Sequence, residues 1–315
     1  MTKDILGNGF EQETLPLRDD YEGKVEATLV RKKTPTSAAD RKAVLYVHGY
    51  VDYFFQAEMA ARYLAQGLDF YALDLRKYGR SLLQHQTPNF CRDTGEYFEE
   101  IDQAITLIRQ RDGVKKLLLS GHSTGGLIAA LYAHQLRHDT RVQAVFLNSP
   151  FFQFNEDWFT KEVLLNLVGT VGRTYPFLEI PGGLSKLYGQ SVHRDYHGEW
   201  DFDLTWKPIE GFPARAGWMR AILKAQGKLH AGLDIRCPIL VMYSAASSTA
   251  SKWDDRLLTT DSVLDVKDIA RYSDGLGDQV TKMSIPGGMH DLVLSGKAVR
   301  EKVYRELFGW LDACL

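Results

Sequence analysis

Gly121-His122-Ser123-Thr124-Gly125 follows the apolar run Leu117–Leu119 and leads directly into Gly126-Leu127-Ile128-Ala129-Ala130. A glycine-flanked serine between a strand and a helix reads as a strained turn, a nucleophile elbow, that lifts the hydroxyl above a sheet. Ser123 is therefore the candidate nucleophile. The same residues would also suit a plain turn with Ser123 as helix N-cap; the strand before and the helix after favour chemistry. A serine hydroxyl is a weak nucleophile alone. It needs a base, a group that orients the base, and donors for the developing oxyanion. His290, in Pro286-Gly287-Gly288-Met289-His290-Asp291, follows the last strand pattern and precedes the C-terminal helix. That is where the base belongs in the chain order serine, acid, histidine. His48-Gly49-Tyr50 closes the run Ala43–Val47, which makes the backbone N–H groups of Tyr50 and Thr124 the candidate oxyanion donors. His48 itself reads as structural.

These residues need a scaffold. Val25–Val30 alternates as a half-buried strand, and Lys32–Lys42, rich in Lys, Thr, Ser and Pro, reads as an exposed turn. Ala43–Val47, Phe70–Leu73, Leu117–Leu119, Val145–Leu147 and Ile239–Met242 are short apolar runs of the kind found in parallel strands covered on both faces, and Val280–Ile285 adds another strand. Helical patterns over Gln56–Gln66, Thr94–Arg111, Leu127–Leu136 and Ala298–Leu311 separate them; in the second, Phe98, Ile101, Ile105 and Ile108 recur on one face. The alternation predicts a doubly wound α/β domain. The rhythm lapses from Phe151 to Asp234, a stretch rich in aromatic residues and then punctuated by Pro and Gly. We expect a core of residues 1–150 and 234–315 with residues 151–233 inserted as a cap. Phe151 and Trp158 are the candidate lining of an apolar substrate pocket.

With 315 residues, 44% of them hydrophobic, the chain is long enough for one large core. Its 38 basic and 40 acidic side chains nearly cancel, so no broad field would attract nucleic acid. Cys91, Cys237 and Cys314 are too few and too far apart for a disulfide framework or a zinc site. The first residues lack the apolar stretch of a signal peptide, and no segment has the length of a membrane span. A cytoplasmic protein acting on a small molecule, with no cofactor or metal, is the expectation.

Over most of its length the chain resembles the monoglyceride lipase and serine aminopeptidase-like group of the α/β-hydrolase superfamily. The matching pieces are Val47-His48-Gly49-Tyr50, Asp74-Leu75-Arg76-Lys77-Tyr78-Gly79-Arg80-Ser81, Gly121–Gly126 and Pro286–His290; Lys77 stands where that group's loop has its first glycine. The Asp74–Ser81 loop reads as a tight turn without a catalytic part. The resemblance implies an α/β-hydrolase fold with a helical cap and an aspartate soon after the strand Ile239–Met242. Tyr243-Ser244-Ala245-Ala246-Ser247 has no carboxylate there. Asp261-Ser262-Val263-Leu264-Asp265 is similar to the family's acid segment and precedes a helix from about Val266 to Tyr272, which makes Ser244–Thr260 an insertion. Asp261 is the first candidate for the acid, Asp265 the runner-up, and Asp254 and Asp255 remain. Asp261 would also suit a helix N-cap.

The resemblance implies a carboxylesterase- or lipase-like serine hydrolase that cleaves esters with an apolar acyl group. An aminopeptidase, for which Glu199, Asp201 and Asp203 could hold the substrate ammonium, and a thioesterase or acyltransferase are alternatives on the same residues. A non-catalytic ligand-binding protein on the same fold is the alternative of another class.

Overall fold

The computed structural model describes residues 1–35, 40–155, 165–180 and 184–315. The chain begins with β1 (Thr2–Lys3), β2 (Glu11–Pro16), β3 (Glu26–Lys32), β4 (Lys42–Val47), α1 (Ala57–Ala65) and β5 (Leu68–Asp74). It continues through α2 (Phe98–Thr106), β6 (Lys116–His122), α3 (Thr124–Gln135) and β7 (Ala144–Asn148). Next come α4 (Leu165–Thr174), β8 (Glu179–Ile180), α5 (Lys186–Val192), β9 (Ala214–Arg215) and α6 (Ala216–His230). It closes with β10 (Ile239–Ser244), α7 (Val266–Ser273), β11 (Val280–Ile285) and α8 (Lys297–Cys314).

Among the described residues a nine-stranded sheet has the order β1-β2-β3-β5-β4-β6-β7-β10-β11. From β5 to β11 neighbouring strands are parallel, whereas β1, β2 and β3 run antiparallel to their neighbours. Alternation along each strand decides which side a residue serves. Leu45, Leu73, Leu119, Val145 and Val241 join α2, α3, α6 and α7 in one apolar cluster. Val44, Phe70, Leu118, Phe146 and Leu240 join α1 and α8 in the other. Burying one such side chain contributes about 1.5–3 kcal/mol, so the two layers together fix the strand register. The fold is α/β, with a mostly parallel sheet wound on both faces.

The helical pattern expected over Thr94–Arg111 is present, but in three parts. Asp93 accepts the Gly95 N–H and Glu96 accepts the Asp93 N–H, a capping box that opens a 3₁₀ turn over Thr94–Tyr97. α2 follows, and the helix widens into a π turn over Leu107–Arg111. Between β7 and β10, α6 packs Trp218, Ala221, Ile222, Ala225 and Leu229 into the same cluster as α3, while β8 and β9 pair as a short antiparallel ribbon. Among the described residues no helix is long and apolar enough to cross a membrane. Part of the expected exposed turn, residues 36–39, lies outside the described residues.

Candidate active site

β4 lies between β5 and β6, so the connections from it and past it run to opposite sides, and the carboxyl ends of β4 and β6 form the switch point at which α/β sheets place their ligands. Val47 pairs with Gly121 across these parallel neighbours, which sets the loop Gly49–Tyr53 beside the turn at Ser123. Ser123 has φ 52° and ψ −117°, a backbone conformation that a side chain rarely adopts. It persists because the surroundings fix it. The Ser123 N–H donates to the Asn148 carbonyl at 3.0 Å, and the Ser123 carbonyl accepts the N–H groups of Gly126, Leu127 and Phe151. The flanking glycines answer to close approach: a Cβ on Gly121 would lie 2.4 Å from the Gly125 carbonyl oxygen, and one on Gly125 would lie 2.3 Å from that of His48.

His290 enters from the loop after β11. Its Nε2 lies 3.0 Å from Ser123 Oγ and its Nδ1 lies 2.9 Å from Asp261 Oδ2. Both contacts are satisfied when Nδ1–H donates to the carboxylate and Nε2 accepts the hydroxyl proton. Neighbouring bonds hold the loop: the Met289 N–H donates to Ser295 Oγ, and the Asn148 amide donates to Asp291 Oδ1 at 2.7 Å. Asp261 is fully buried, and its Oδ1 accepts the N–H groups of Val263 at 2.9 Å and Leu264 at 2.8 Å.

Residues 245–260 explain why no carboxylate directly follows β10. The chain leaves the strand, makes a 3₁₀ turn over Asp255–Leu258, and returns so that Asp261 bridges Ser247 as a further parallel rung. The Asp261 N–H donates to the Ala246 carbonyl and the Ser248 N–H to the Asp261 carbonyl, each at 2.9 Å. Asp261 therefore stands beside the end of β10 although far from it in sequence. The other candidates stand elsewhere. Asp265 is the N-cap of α7, Asp254 caps the turn at 255–258, and Asp255 accepts the Trp253 indole N–H. The helix-capping role weighed for Asp261 belongs to Asp265.

Thr124 is the first residue of α3 and Tyr50 lies in the loop after β4. Among the described residues neither backbone N–H has an acceptor within the protein, which leaves both available to an oxyanion. His48 is committed elsewhere: its Nε2 accepts the Leu75 N–H at 3.1 Å and its Nδ1–H donates to the Gly49 carbonyl. Burial lowers its pKa and keeps the ring neutral. In the loop expected to be structural, Asp74 accepts the Phe54 and Arg80 N–H groups, and the fully buried Lys77 pairs with Asp20 at 2.7 Å and Glu22 at 2.5 Å. Lys77 has φ 65°, the left-handed conformation for which glycine is the usual choice.

Phe151 is nearly buried beside Ser123, with its ring edge-on to Phe154 at 4.8 Å. Trp158 lies outside the described residues. Sequence reasoning missed Trp218, whose ring stacks on Tyr50 at 4.1 Å; its place in the periodic apolar face of α6 is the signal that could have found it. Glu199 pairs with Arg300, Asp201 with Arg194, and Asp203 accepts the Thr205 N–H and hydroxyl. A surface groove of about 1210 Å³ between β2 and α2, lined by residues such as Arg18, Glu96 and Glu99, includes none of the site residues.

A serine in a strained elbow, hydrogen-bonded to a histidine at the switch point of a doubly wound sheet, defines the class as an α/β-hydrolase fold. The chain belongs to the family described as serine aminopeptidase, S33, whose model matches residues 38–294. It is similar in fold to a soluble variant of monoglyceride lipase from Saccharomyces cerevisiae, with TM-score 0.72, 16% identity and coverage of 96% of this chain and 95% of that one. The monoacylglycerol lipase of Paleococcus ferrophilus gives TM-score 0.65 and 18% identity over 97% and 99% of the two chains. At these identities the likeness is one of fold. Human 1-acylglycerol-3-phosphate O-acyltransferase ABHD5 is 35% identical over 81 residues, 26% of this chain and 22% of that protein. The abhydrolase domain-containing protein abhd-5.2 of Caenorhabditis elegans is 30% identical over 131 residues, 42% and 26% respectively. The matched stretches thus span about a quarter of the length of these curated relatives.

Proposed function

We propose that this protein is a serine hydrolase that cleaves carboxylic esters with an apolar acyl group. The observation that carries the proposal is the continuous contact from Asp261 through His290 to Ser123, 2.9 and 3.0 Å long, at the carboxyl end of the parallel sheet. Ser123 Oγ attacks the ester carbonyl as His290 Nε2 takes its proton. The N–H groups of Tyr50 and Thr124 receive the oxyanion, each such donor lowering the barrier by about 2.7–4 kcal/mol. His290 then returns the proton to the leaving alcohol. Water, activated by the same imidazole, releases the acid and restores Ser123. Asp261 fixes the tautomer and balances the imidazolium charge. The chemistry calls for no cofactor or metal.

Phe151 and Trp158 are the proposed acyl-pocket residues, and the part of residues 151–233 ahead of α6 is the proposed cap. The pairing of Glu199, Asp201 and Asp203 with partners of their own favours an ester over an aminoacyl substrate, because a substrate ammonium would have to displace those partners. The test is a screen of acyl esters of graded chain length alongside aminoacyl amides, with Ser123→Ala as control. Ester hydrolysis that improves with acyl length and vanishes in Ser123→Ala is expected. Faster cleavage of the amides would move the protein to the aminopeptidases, and a Ser123→Ala variant as active as the wild type would overturn the proposal.

A further inference from the structure

The oxyanion loop contains a strained residue that its neighbours must hold. Val51 is buried and has φ 50°, a conformation that is costly for a β-branched side chain. The residues around it are gripped by one segment, 203–218, from outside the loop. Tyr50 stacks on Trp218 with ring centroids 4.1 Å apart. The Asp52 carboxylate meets the Lys207 ammonium at 2.6 Å, with only 1% and 5% of the two residues exposed. Tyr53 Oη accepts the Asp203 N–H at 2.7 Å, and its ring meets Trp206 edge-on. Beyond these, the Phe54 N–H is fixed by Asp74 Oδ1 at 2.9 Å.

We infer that the buried Lys207–Asp52 ion pair is a positioning device that holds Val51 in its strained conformation and so aims the Tyr50 N–H at the oxyanion. Without the ammonium, the Asp52 carboxylate is left buried with two imidazoles, His122 with its Nδ1 at 3.7 Å and the neutral His48, as its titratable neighbours. With or without its charge, the Asp52 side chain then lacks the anchor that opposes the strain of Val51, and a bare carboxylate is moreover driven toward water. As it moves, Val51 relaxes to negative φ, which turns the Tyr50–Val51 peptide and, through Tyr50, displaces the preceding peptide that carries the Tyr50 N–H. Lys207 has no hydrogen bond or ion pair with Ser123 or His290, so it acts on them through the loop it anchors. The same pair ties residues 203–218 to the oxyanion loop, which couples the seating of that segment to the formation of the site.

The inference rests on the proposed esterase activity, and kinetics of the full chain on a p-nitrophenyl ester test it. Lys207→Met is expected to lower kcat on the order of 10²-fold with little change in KM, as removal of an oxyanion donor does. Adding Val51→Gly supplies a residue that adopts positive φ without strain, so the double variant is expected to regain most of the lost kcat. A purely structural ion pair would lower the melting temperature without that rescue. Should Lys207→Met fail to fold, Lys207→Met/Asp52→Asn removes the uncompensated charge, and the same low kcat and the same rescue by Val51→Gly are expected of it. Undiminished kcat without the ammonium, or a loss that Val51→Gly leaves untouched in a folded protein, overturns the inference. The two failures are distinct: hydrolysis that persists in Ser123→Ala refutes the proposed function, whereas Ser123-dependent hydrolysis indifferent to Lys207 refutes only the clamp.

Discussion

Asp261 Oδ1 receives two backbone N–H groups while Oδ2 faces His290 Nδ1, so the carboxylate is fixed from both sides and has one oxygen aimed at the imidazole. Asp265 spends its carboxylate on the Lys267 N–H at the start of α7. The two therefore differ in what their removal does. Asp261→Asn is expected to slow ester turnover by roughly 10⁴-fold, because the imidazole loses the partner that selects its tautomer. Asp265→Asn or Asp265→Ala should leave turnover unchanged, with the alanine costing about 0.5–2 kcal/mol of stability as a lost N-cap. Steady-state kinetics together with thermal denaturation of the variants separate the two effects. Sequence spacing could reach Ser123 and His290 directly, because each sits in a glycine-bearing turn next to a recognisable strand. The aspartate gave no such signal: its neighbour in space, the end of β10, is separated from it by an excursion over residues 245–260, and only the family's acid segment pointed to Asp261.

At the scale of elements, the strands β4, β5, β6, β7 and β10 were legible as apolar runs because both their faces are covered. α2 was legible for the opposite reason, since only one of its faces is buried. α3 is buried nearly all round and its helical periodicity is correspondingly faint, so the pattern from Leu127 begins three residues after the helix itself does. β1 and β2 escaped notice because they lie at the exposed antiparallel edge, where Leu15 is the lone buried residue of the six in β2. Next to that edge, a cluster of charges ties β3 and β5 to the end of the α2 segment. Asp112, just after the π turn, accepts from Arg31 and Lys33 at 3.2 and 2.5 Å, from Arg111, and from the Tyr71 hydroxyl of β5 at 2.9 Å. Burial alone would raise this carboxyl, but the bonds from Arg111, Lys33 and Tyr71 outweigh it and hold the pKa at about 2. A carboxyl depressed in the folded state contributes stability that is complete above about pH 4 and is lost as the pH falls through its folded value. Asp112→Asn is accordingly expected to be less stable than the wild type at neutral pH, with the gap closing between about pH 4 and pH 2. Urea denaturation at a series of pH values checks this; a gap independent of pH would show that the Asp112 charge is not responsible.

For the molecule as a whole, the doubly wound sheet followed from the alternation of strands and helices, and the lapse of that rhythm marked residues 151–233 as different. Composition could not say how that segment is divided. Its last helix, α6, packs against α3 and the sheet as a core element, and residues 203–218 grip the loop after β4. Contacts such as Tyr50–Trp218 and Asp52–Lys207 join positions far apart in sequence, and no local pattern announces them. The whole arrangement converges on one serine. Intact-protein mass spectrometry after exposure to a fluorophosphonate tests that convergence most directly. A single adduct is expected, located at Ser123, absent in Ser123→Ala and formed far more slowly in His290→Ala. A wild-type chain that stays unlabelled, or one labelled equally well without Ser123, would contradict it.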